Sequence, residues 1–121
     1  MTMTKEELNS ALKNFTGAET CFRHELYKLF TYTEGVQFLA AEAGAYWLVE
    51  LIFGLQQTVP AIKSEPFQAW KLEVNDYVGT LTCEDGNGNK VYARTIEFTD
   101  FPMEEITLWF TDSVLLLPSE Y

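Results

Sequence analysis

The fold is decided by residues 45–75, AYWLVELIFGLQQTVPAIKSEPFQAWKLEVN, in which the spacing of the apolar residues changes. As far as Gln57 the apolar residues recur every three or four positions, as they do along one face of a helix. From Phe67 onward they alternate with polar residues, which is typical of a strand with one buried face. Pro60 and Pro66 lie between the two patterns and end the helix. The stretch predicts a helical part followed by a sheet.

Two threonines mark helix starts upstream of this stretch. Thr4, followed by Glu7, forms a capping box and predicts a short helix over about 5–15, which Gly17 ends. Thr33 is suited to cap a second helix, with Glu34 in its first turn. The third helix covers about 45–57.

Residues 18–32 fit two structures. Phe22, Leu26 and Phe30 have helical spacing, whereas Tyr27, Leu29 and Thr31 suit a strand equally well. We favour the helix for this segment.

The second half of the chain contains the strand signals. The sequence Asp85-Gly86-Asn87-Gly88-Asn89 predicts a hairpin turn, because Gly and Asn tolerate positive φ angles. The predicted strands are Trp70–Val74, Thr80–Glu84, about 90–98, Ile106–Phe110 and a short Val114–Leu117.

These elements predict a single α+β domain over residues 1–121. The helical part covers about 4–57, the crossover 58–66 and the sheet part 67–117. N-terminal helices are expected on one face of a C-terminal antiparallel meander of four or five strands.

The chain is acidic, with a formal charge of −10 over 121 residues. Residues 63–121 contain eleven acidic and four basic side chains, a net charge of −7, against −3 for residues 1–62. Such a field repels nucleic-acid phosphates and anionic lipid surfaces, so we expect neither nucleic acid nor membrane as a direct partner. The excess either keeps the surface soluble or binds a basic partner.

The two cysteines, Cys21 and Cys83, are too few and too far apart for a disulfide framework, and we expect both to be reduced and buried. The N-terminus has no secretory signal, and the apolar run Ala45–Leu55 contains Glu50 and is too short to cross a bilayer. We therefore expect a cytoplasmic protein.

Chemistry-bearing motifs are sparse. His24, the one histidine, lies near Arg23, Glu25 and Tyr32, and these four are the weak candidates for a catalytic group. A dyad of His24 with Cys21 is conceivable if the segment is helical. We predict no catalytic residues, no cofactor and no metal, since His and Cys are too few for a zinc site and the 85–89 loop lacks EF-hand spacing.

Acidic and aromatic residues are the candidates for binding. Asp100, Glu104 and Glu105 form either a solvated edge or an acidic recognition patch, and Trp109 is the aromatic candidate beside them. Trp109 also belongs, with Trp70 and the Tyr46-Trp47 pair, to an aromatic cluster that is expected in the core in preference to a binding surface.

Several short strings together resemble an uncharacterised family of short bacterial and mobile-element proteins, a domain of unknown function. The resemblance implies a single-domain protein of bacterial, phage or plasmid origin and brings no catalytic residues. The strings are Phe15-Thr16-Gly17, Arg23-His24, Tyr32-Thr33-Glu34-Gly35, Gly44-Ala45-Tyr46-Trp47-Leu48, Thr99-Asp100-Phe101-Pro102 and Leu115-Leu116-Leu117-Pro118-Ser119-Glu120-Tyr121.

Three functional hypotheses follow. The favoured one is a small, acidic, non-catalytic interaction module that binds another protein, a basic one, through the exposed sheet or the acidic edge. One version is a phage- or plasmid-borne inhibitor whose carboxylates imitate nucleic-acid phosphates. The alternatives are an enzyme of unrecognised type centred on His24, and a structural homodimer.

Overall fold

The computed structural model describes residues 4–17 and 20–121. In these residues the chain forms four α-helices, seven strands and a short 3-10 helix, Pro118–Glu120. The helices are α1 (Lys5–Leu12), α2 (Glu34–Ala43), α3 (Tyr46–Thr58) and α4 (Pro60–Lys63). The strands are β1 (Cys21–Arg23), β2 (Thr31–Thr33), β3 (Phe67–Asn75), β4 (Val78–Glu84), β5 (Lys90–Ile96), β6 (Glu105–Thr111) and β7 (Val114–Leu116).

The α+β class is confirmed, but the predicted meander of four or five strands is wrong in its details. All seven strands form one mixed sheet in the order β1-β2-β7-β6-β3-β4-β5. Strand β6 pairs with β3 and not with β5, and β7 pairs in parallel with β2. The last strand thus joins the two strands of the N-terminal half to the C-terminal sheet, a pairing that carries no local sequence signal.

The alternation in β3 gives the sheet one buried face. Gln68, Trp70 and Leu72 are buried, whereas Lys71 and Glu73, which alternate with them, face the other side. The buried side packs against the helices in one apolar cluster that includes Leu39, Leu48, Ile52 and Phe53 of α2 and α3, together with Leu81, Cys83 and Leu108 of the neighbouring strands. Removing this much apolar surface from water is the main source of stability.

The two predicted N-terminal helix caps are confirmed, whereas α1 ends at Leu12 with Lys13 as its C-cap, so the predicted end at Gly17 is wrong. The Thr4 hydroxyl accepts a hydrogen bond from the Glu7 amide, and the Glu7 carboxylate accepts one from the Thr4 amide. The Thr33 hydroxyl accepts from the Val36 amide, and Gly44 ends α2 at a φ of 62°. In the crossover, Pro60 begins the short helix α4, where its missing amide proton costs no hydrogen bond.

The helix favoured for residues 18–32 is wrong over the described positions 20–32; Ala18 and Glu19 lie outside the described residues. Strands β1 and β2 form a small antiparallel pair that joins Cys21 to Thr33, with a turn between them. All three residues of β1 are exposed, so no alternation of buried and exposed positions exists to indicate a strand.

The two cysteines differ. Cys83 is buried, as expected, and burial is the main cause that raises the pKa of its thiol to about 12. Cys21 is exposed on β1, so the expectation that it is buried is wrong. No helix of the described residues is long and apolar enough to cross a membrane.

The C-terminal 3-10 helix places a buried carboxylate at the start of α2. Glu120 is 3% exposed, and its Oε1 accepts hydrogen bonds from the Thr33 hydroxyl at 2.6 Å and the Leu117 amide at 2.9 Å. Its Oε2 accepts from the Gly35 amide at 3.1 Å. A negative charge is favourable there because the N-terminus of a helix is the positive end of its dipole. This Glu120 junction brings together two of the strings on which the family resemblance depends.

Candidate functional site

His24 organises the turn between β1 and β2. Its Nδ1 accepts hydrogen bonds from the Leu26 amide at 3.1 Å and the Tyr27 amide at 3.2 Å. In the neutral ring the proton therefore resides on Nε2, which lies 3.7 Å from a Glu50 carboxylate oxygen. With Nδ1 occupied and Nε2 protonated, the imidazole has no free lone pair with which to accept a proton from a substrate.

The other catalytic candidates are partly separated from His24. The rings of His24 and Tyr32 lie 6.4 Å apart, and burial, followed by Tyr46 and then Glu25, raises the pKa of Tyr32. Arg23 instead donates to the Lys28 carbonyl. None of the four candidates lines either of the two clefts described below. His24 and Arg23 thus form hydrogen bonds with backbone groups of the turn between β1 and β2. The enzyme hypothesis stays a prediction.

Two of the predicted acidic residues, Glu104 and Glu105, lie at a cleft at one end of the sheet. The cleft has a volume of about 830 Å³ and four carboxylates in its lining, from Glu73, Asp76, Glu104 and Glu105. Glu73 faces Glu105 across the β3–β6 pair, where two like charges repel each other. Asp100, the third predicted acidic residue, is exposed but does not line this cleft.

Two lysines compensate part of this charge. Lys5 lies 2.8 Å from Glu104, and this hydrogen bond and charge lower the pKa of Glu104 and raise that of Lys5. Lys71 lies 3.4 Å from Glu105. Within residues 4–17 and 20–121, no cationic side chain lies within 4 Å of Glu73 or Asp76. The cleft therefore retains negative charge that is not neutralised by an ion pair.

An exposed aromatic pair adjoins the cleft. Tyr77 and Phe98 are 62% and 70% exposed, and their rings lie parallel with centroids 5.8 Å apart. Tyr77 stands in the chain between Asp76 and Val78, which both line the cleft. This pair was not predicted from the sequence, although Tyr77 and Phe98 are large aromatic residues with acidic neighbours in the sequence.

Trp109 is half-buried on the face of the sheet opposite the main helices. Its ring contacts Phe67 at 5.3 Å and Tyr121 at 5.5 Å between centroids, both edge to face. Among the other aromatic candidates, Trp70 is buried, as expected for a core residue, whereas Tyr46 is exposed and Trp47 half-buried. Trp109 and Tyr121 thus add apolar surface to the uncovered face of the sheet.

A second cleft, of about 630 Å³, has two buried amides in its lining. Gln56 and Gln68 are 4% and 1% exposed and donate to each other at 2.7 and 2.9 Å. Gln68 also accepts from the Trp70 indole and donates to the Ile62 carbonyl. The sequence contains a signal for this network, because Gln68 is a polar residue at one of the alternating positions of β3 that otherwise hold apolar residues.

The turn at 85–89 has the predicted hairpin role. The Asp85 carboxylate accepts from the amides of Asn87 and Asn89, and these hydrogen bonds lower its pKa. Strands β4 and β5 pair on either side of it. In the described part of the chain, no group of three His, Cys, Asp or Glu side chains is placed to hold a metal ion.

Fold and surface together define a small acidic α+β protein whose sheet carries aromatic and carboxylate side chains at one end. Comparison with family models then places the chain: it belongs to a family of unknown function, DUF6876, whose model matches residues 6–121. No curated protein and no solved structure matches the chain. The expected membership in an uncharacterised family is confirmed, and the family carries no activity to transfer.

Proposed function

We propose that this protein is a small, non-catalytic interaction module that binds a basic protein partner through the acidic end of its sheet. The observation that supports it most directly is the cleft lined by Glu73, Asp76, Glu104 and Glu105. Because Glu73 and Glu105 stand opposite each other, the free protein has a repulsion that a cationic partner would relieve.

The net charge supports the same partner chemistry. Residues 63–121 have a net charge of −7, and the sequence contains no lysine or arginine after Arg94. A partner of opposite charge would associate faster and bind more tightly at low salt. A narrower version is an inhibitor of phage or plasmid origin whose carboxylates occupy the phosphate sites of a nucleic-acid-binding protein in a bacterial cytoplasm.

The test is capture from a bacterial lysate at about 50 mM and about 500 mM NaCl, since salt at the higher concentration screens exposed charges over a few ångströms. The cleft variant Glu73→Gln/Asp76→Asn removes two carboxylates that lack an ion pair. The control variant Glu6→Gln/Glu42→Gln removes two carboxylates from α1 and α2, and circular dichroism checks that both variants fold.

We expect a basic protein to be retained by the wild type and by the control at low salt, and lost with the cleft variant or at high salt. Binding is then measured with the purified partner by titration calorimetry. Release of that partner by excess duplex DNA supports the narrower version. If the retained proteins are the same for both variants and at both salt concentrations, the proposal is wrong.

The homodimer is the second candidate, and the cluster of Phe67, Trp109 and Tyr121 favours it. These rings leave Tyr121 mostly exposed on the face of the sheet opposite the main helices. Light scattering at micromolar concentration distinguishes the two candidates: twice the monomer mass, reverting to the monomer mass in Trp109→Ala, supports a dimer through this face. A monomer mass for the wild type excludes it.

A further inference from the structure

The hairpin between β3 and β4 exposes an aromatic residue where the backbone disfavours one. Asp76 and Tyr77 have φ angles of 54° and 64°, both in the left-handed region. Two-residue turns of this kind normally contain Asn-Gly or Asp-Gly, because a side chain at the second position crowds the backbone. Tyr77 therefore costs stability that a glycine would not.

The structure offers an internal comparison. Asp112 and Ser113, between β6 and β7, have nearly the same φ angles, 53° and 64°. That turn has a small hydroxyl residue at the second position, whereas the β3–β4 turn has a large ring that is 62% exposed. Burial does not account for the ring at this position, whereas a contact with another molecule would.

Phe98 is held against Tyr77 by a fixed backbone. The Thr99 amide donates to the Tyr77 carbonyl at 2.9 Å, and Thr99 is buried and accepts from the Phe101 amide. Close approach at this point depends on Gly79, where an added Cβ would lie 3.2–3.3 Å from Ile96 and Thr99. Phe98 thus directly precedes a buried, hydrogen-bonded residue, and the parallel rings form a preorganised apolar patch.

Acidic residues surround this patch in the sequence. Asp76 precedes Tyr77, and Glu97 and Asp100 flank Phe98; Asp76, Glu97 and Asp100 are exposed. No cationic side chain within residues 4–17 and 20–121 lies within 4 Å of any of the three. An aromatic face beside carboxylates suits a guanidinium, which stacks flat on a ring while its N–H groups donate to carboxylates.

We infer that Tyr77 and Phe98 form a docking patch for an arginine side chain of a basic partner segment, with Asp76, Glu97 and Asp100 supplying the opposite charge. The inference rests on the proposed function, since it names the chemistry by which the acidic end of the sheet recognises its partner. It adds a preference for arginine over lysine, which charge alone does not give, because an ammonium cannot stack as a plane.

The experiment uses two fluorescent ten-residue peptides of equal charge, alternating Arg-Gly and alternating Lys-Gly, titrated against the full chain at low salt with anisotropy as the readout. We expect the arginine peptide to bind about fivefold more tightly, the ratio that about 1 kcal/mol of stacking provides. Tyr77→Gly is expected to reduce this ratio to about one and to leave the melting temperature equal to or above that of the wild type.

The matched control is Ser113→Gly, which relaxes the equivalent turn and should leave the arginine preference intact. The variant Glu73→Gln/Glu104→Gln changes the cleft and no residue of the patch, so it separates the two proposals. The docking patch is wrong if the wild type binds both peptides with equal affinity, or if the affinity ratio is unchanged in Tyr77→Gly. In either case the acidic-cleft proposal stands if Glu73→Gln/Glu104→Gln binds both peptides more weakly than the wild type does. If neither peptide binds, the docking patch is wrong, and capture from the lysate then tests the proposed function separately.

Discussion

Two sets of carboxylates in this protein have opposite surroundings. Glu120 is buried and accepts three hydrogen bonds at the start of α2, whereas Glu73 and Asp76 line an open cleft without an ion pair in the described residues. A buried charge is tolerated only when its hydrogen bonds are complete, so Glu120 has a structural role. An exposed carboxylate costs the fold little, and its charge stays available to a partner. Other residue types also occupy both a buried and an exposed position in this protein. The difference between the two positions can be tested by substitution or chemical modification.

The two thiols should show the largest contrast. Burial raises the pKa of Cys83 from an ordinary value of 9.0 to about 12, so at about pH 8 roughly one molecule in ten thousand has a thiolate there. We expect a thiol-specific disulfide reagent to modify Cys21 at least about a thousandfold faster than Cys83 in the native protein. Stopped-flow absorbance measures both phases, and Cys21→Ser should abolish the fast one.

The raised pKa of Cys83 also determines the direction in which the free energy of unfolding changes at alkaline pH. The unfolded chain loses the Cys83 proton at a lower pH than the folded chain, so this residue reduces the free energy of unfolding as pH rises between about 9 and about 12. Equal rates for the two thiols in the native protein would contradict the buried environment of Cys83.

Replacing the buried carboxylate should have the largest effect on stability. In Glu120→Gln, either orientation of the amide points an NH₂ group at a backbone N–H, of Gly35 or of Leu117, so one donor loses its acceptor. We expect a loss of about 3 kcal/mol in the free energy of unfolding, measured by urea denaturation. Glu105→Gln, at an exposed ion pair, is the control and should change it by less than about 0.5 kcal/mol. Similar losses in both variants would remove the distinction between the two sets of carboxylates.

The buried amide network gives a second contrast in stability. Gln68→Leu leaves the Trp70 indole N–H without its acceptor and the Gln56 amide without its partner, and we expect it to cost about 2–3 kcal/mol. Gln56→Leu should cost about 1 kcal/mol, because Gln68 keeps its other partners. Gln57 is exposed next to Gln56 on α3, so Gln57→Leu is the control and should be near neutral in thermal unfolding. An equal effect at Gln56 and Gln57 would show that the buried pair is not needed.

Gly35, in α2, contacts the Glu120 junction, and Gly54, in α3, is its control. A Cβ at Gly35 would lie 2.6 Å from the Glu120 carboxylate and from Leu117, so Gly35→Ala should destabilise the fold by about 2 kcal/mol despite its better helix propensity. At Gly54 the nearest atom is the Tyr27 hydroxyl, at 3.1 Å on a side chain that can move. Gly54→Ala should therefore be neutral or stabilise by up to about 1 kcal/mol. Chemical denaturation of both variants decides, and a stabilised Gly35→Ala would refute the close contact.

The smallest effect is expected at His24. His24→Ala removes the acceptor of the Leu26 and Tyr27 amides at a half-buried turn and should cost about 1 kcal/mol. His24→Asn keeps an acceptor near the position of Nδ1 and should recover most of this loss. Hydrogen exchange of these two amides gives the local readout, and unchanged protection in His24→Ala would contradict the structural role.

The parts of the fold that the sequence predicts are those in which the interaction is local. The Thr4 and Thr33 caps bond to amides three residues away, and the alternation in 67–75 is visible within one strand. Strand β1 lacks any alternation, and the pairing of Tyr32 with Leu115 spans most of the chain. Neither has a periodic pattern that a reading of neighbouring residues could detect.

The candidate site divides in the same way. Glu104 and Glu105 stand out as adjacent charges, but Glu73 joins them only through the β3–β6 register. The turn at Asp76 and Tyr77 lacks the glycine that normally marks such a hairpin, so its exposed ring could not be foreseen. Burial of Glu120 was equally hidden, because one of its three donors is Leu117, at the start of the 3-10 helix, and the other two come from residues about 85 positions earlier.

The position of β7 between β2 and β6 has a consequence for synthesis on the ribosome. Roughly 80 residues separate Thr33 from Val114, and translation at about 5–20 residues per second takes on the order of ten seconds to cover them. During that interval β1 and β2 have been synthesised, while β7, the parallel neighbour of β2, has not yet been made. The nascent chain therefore has an unpaired strand edge at β2 until the last strand has been made.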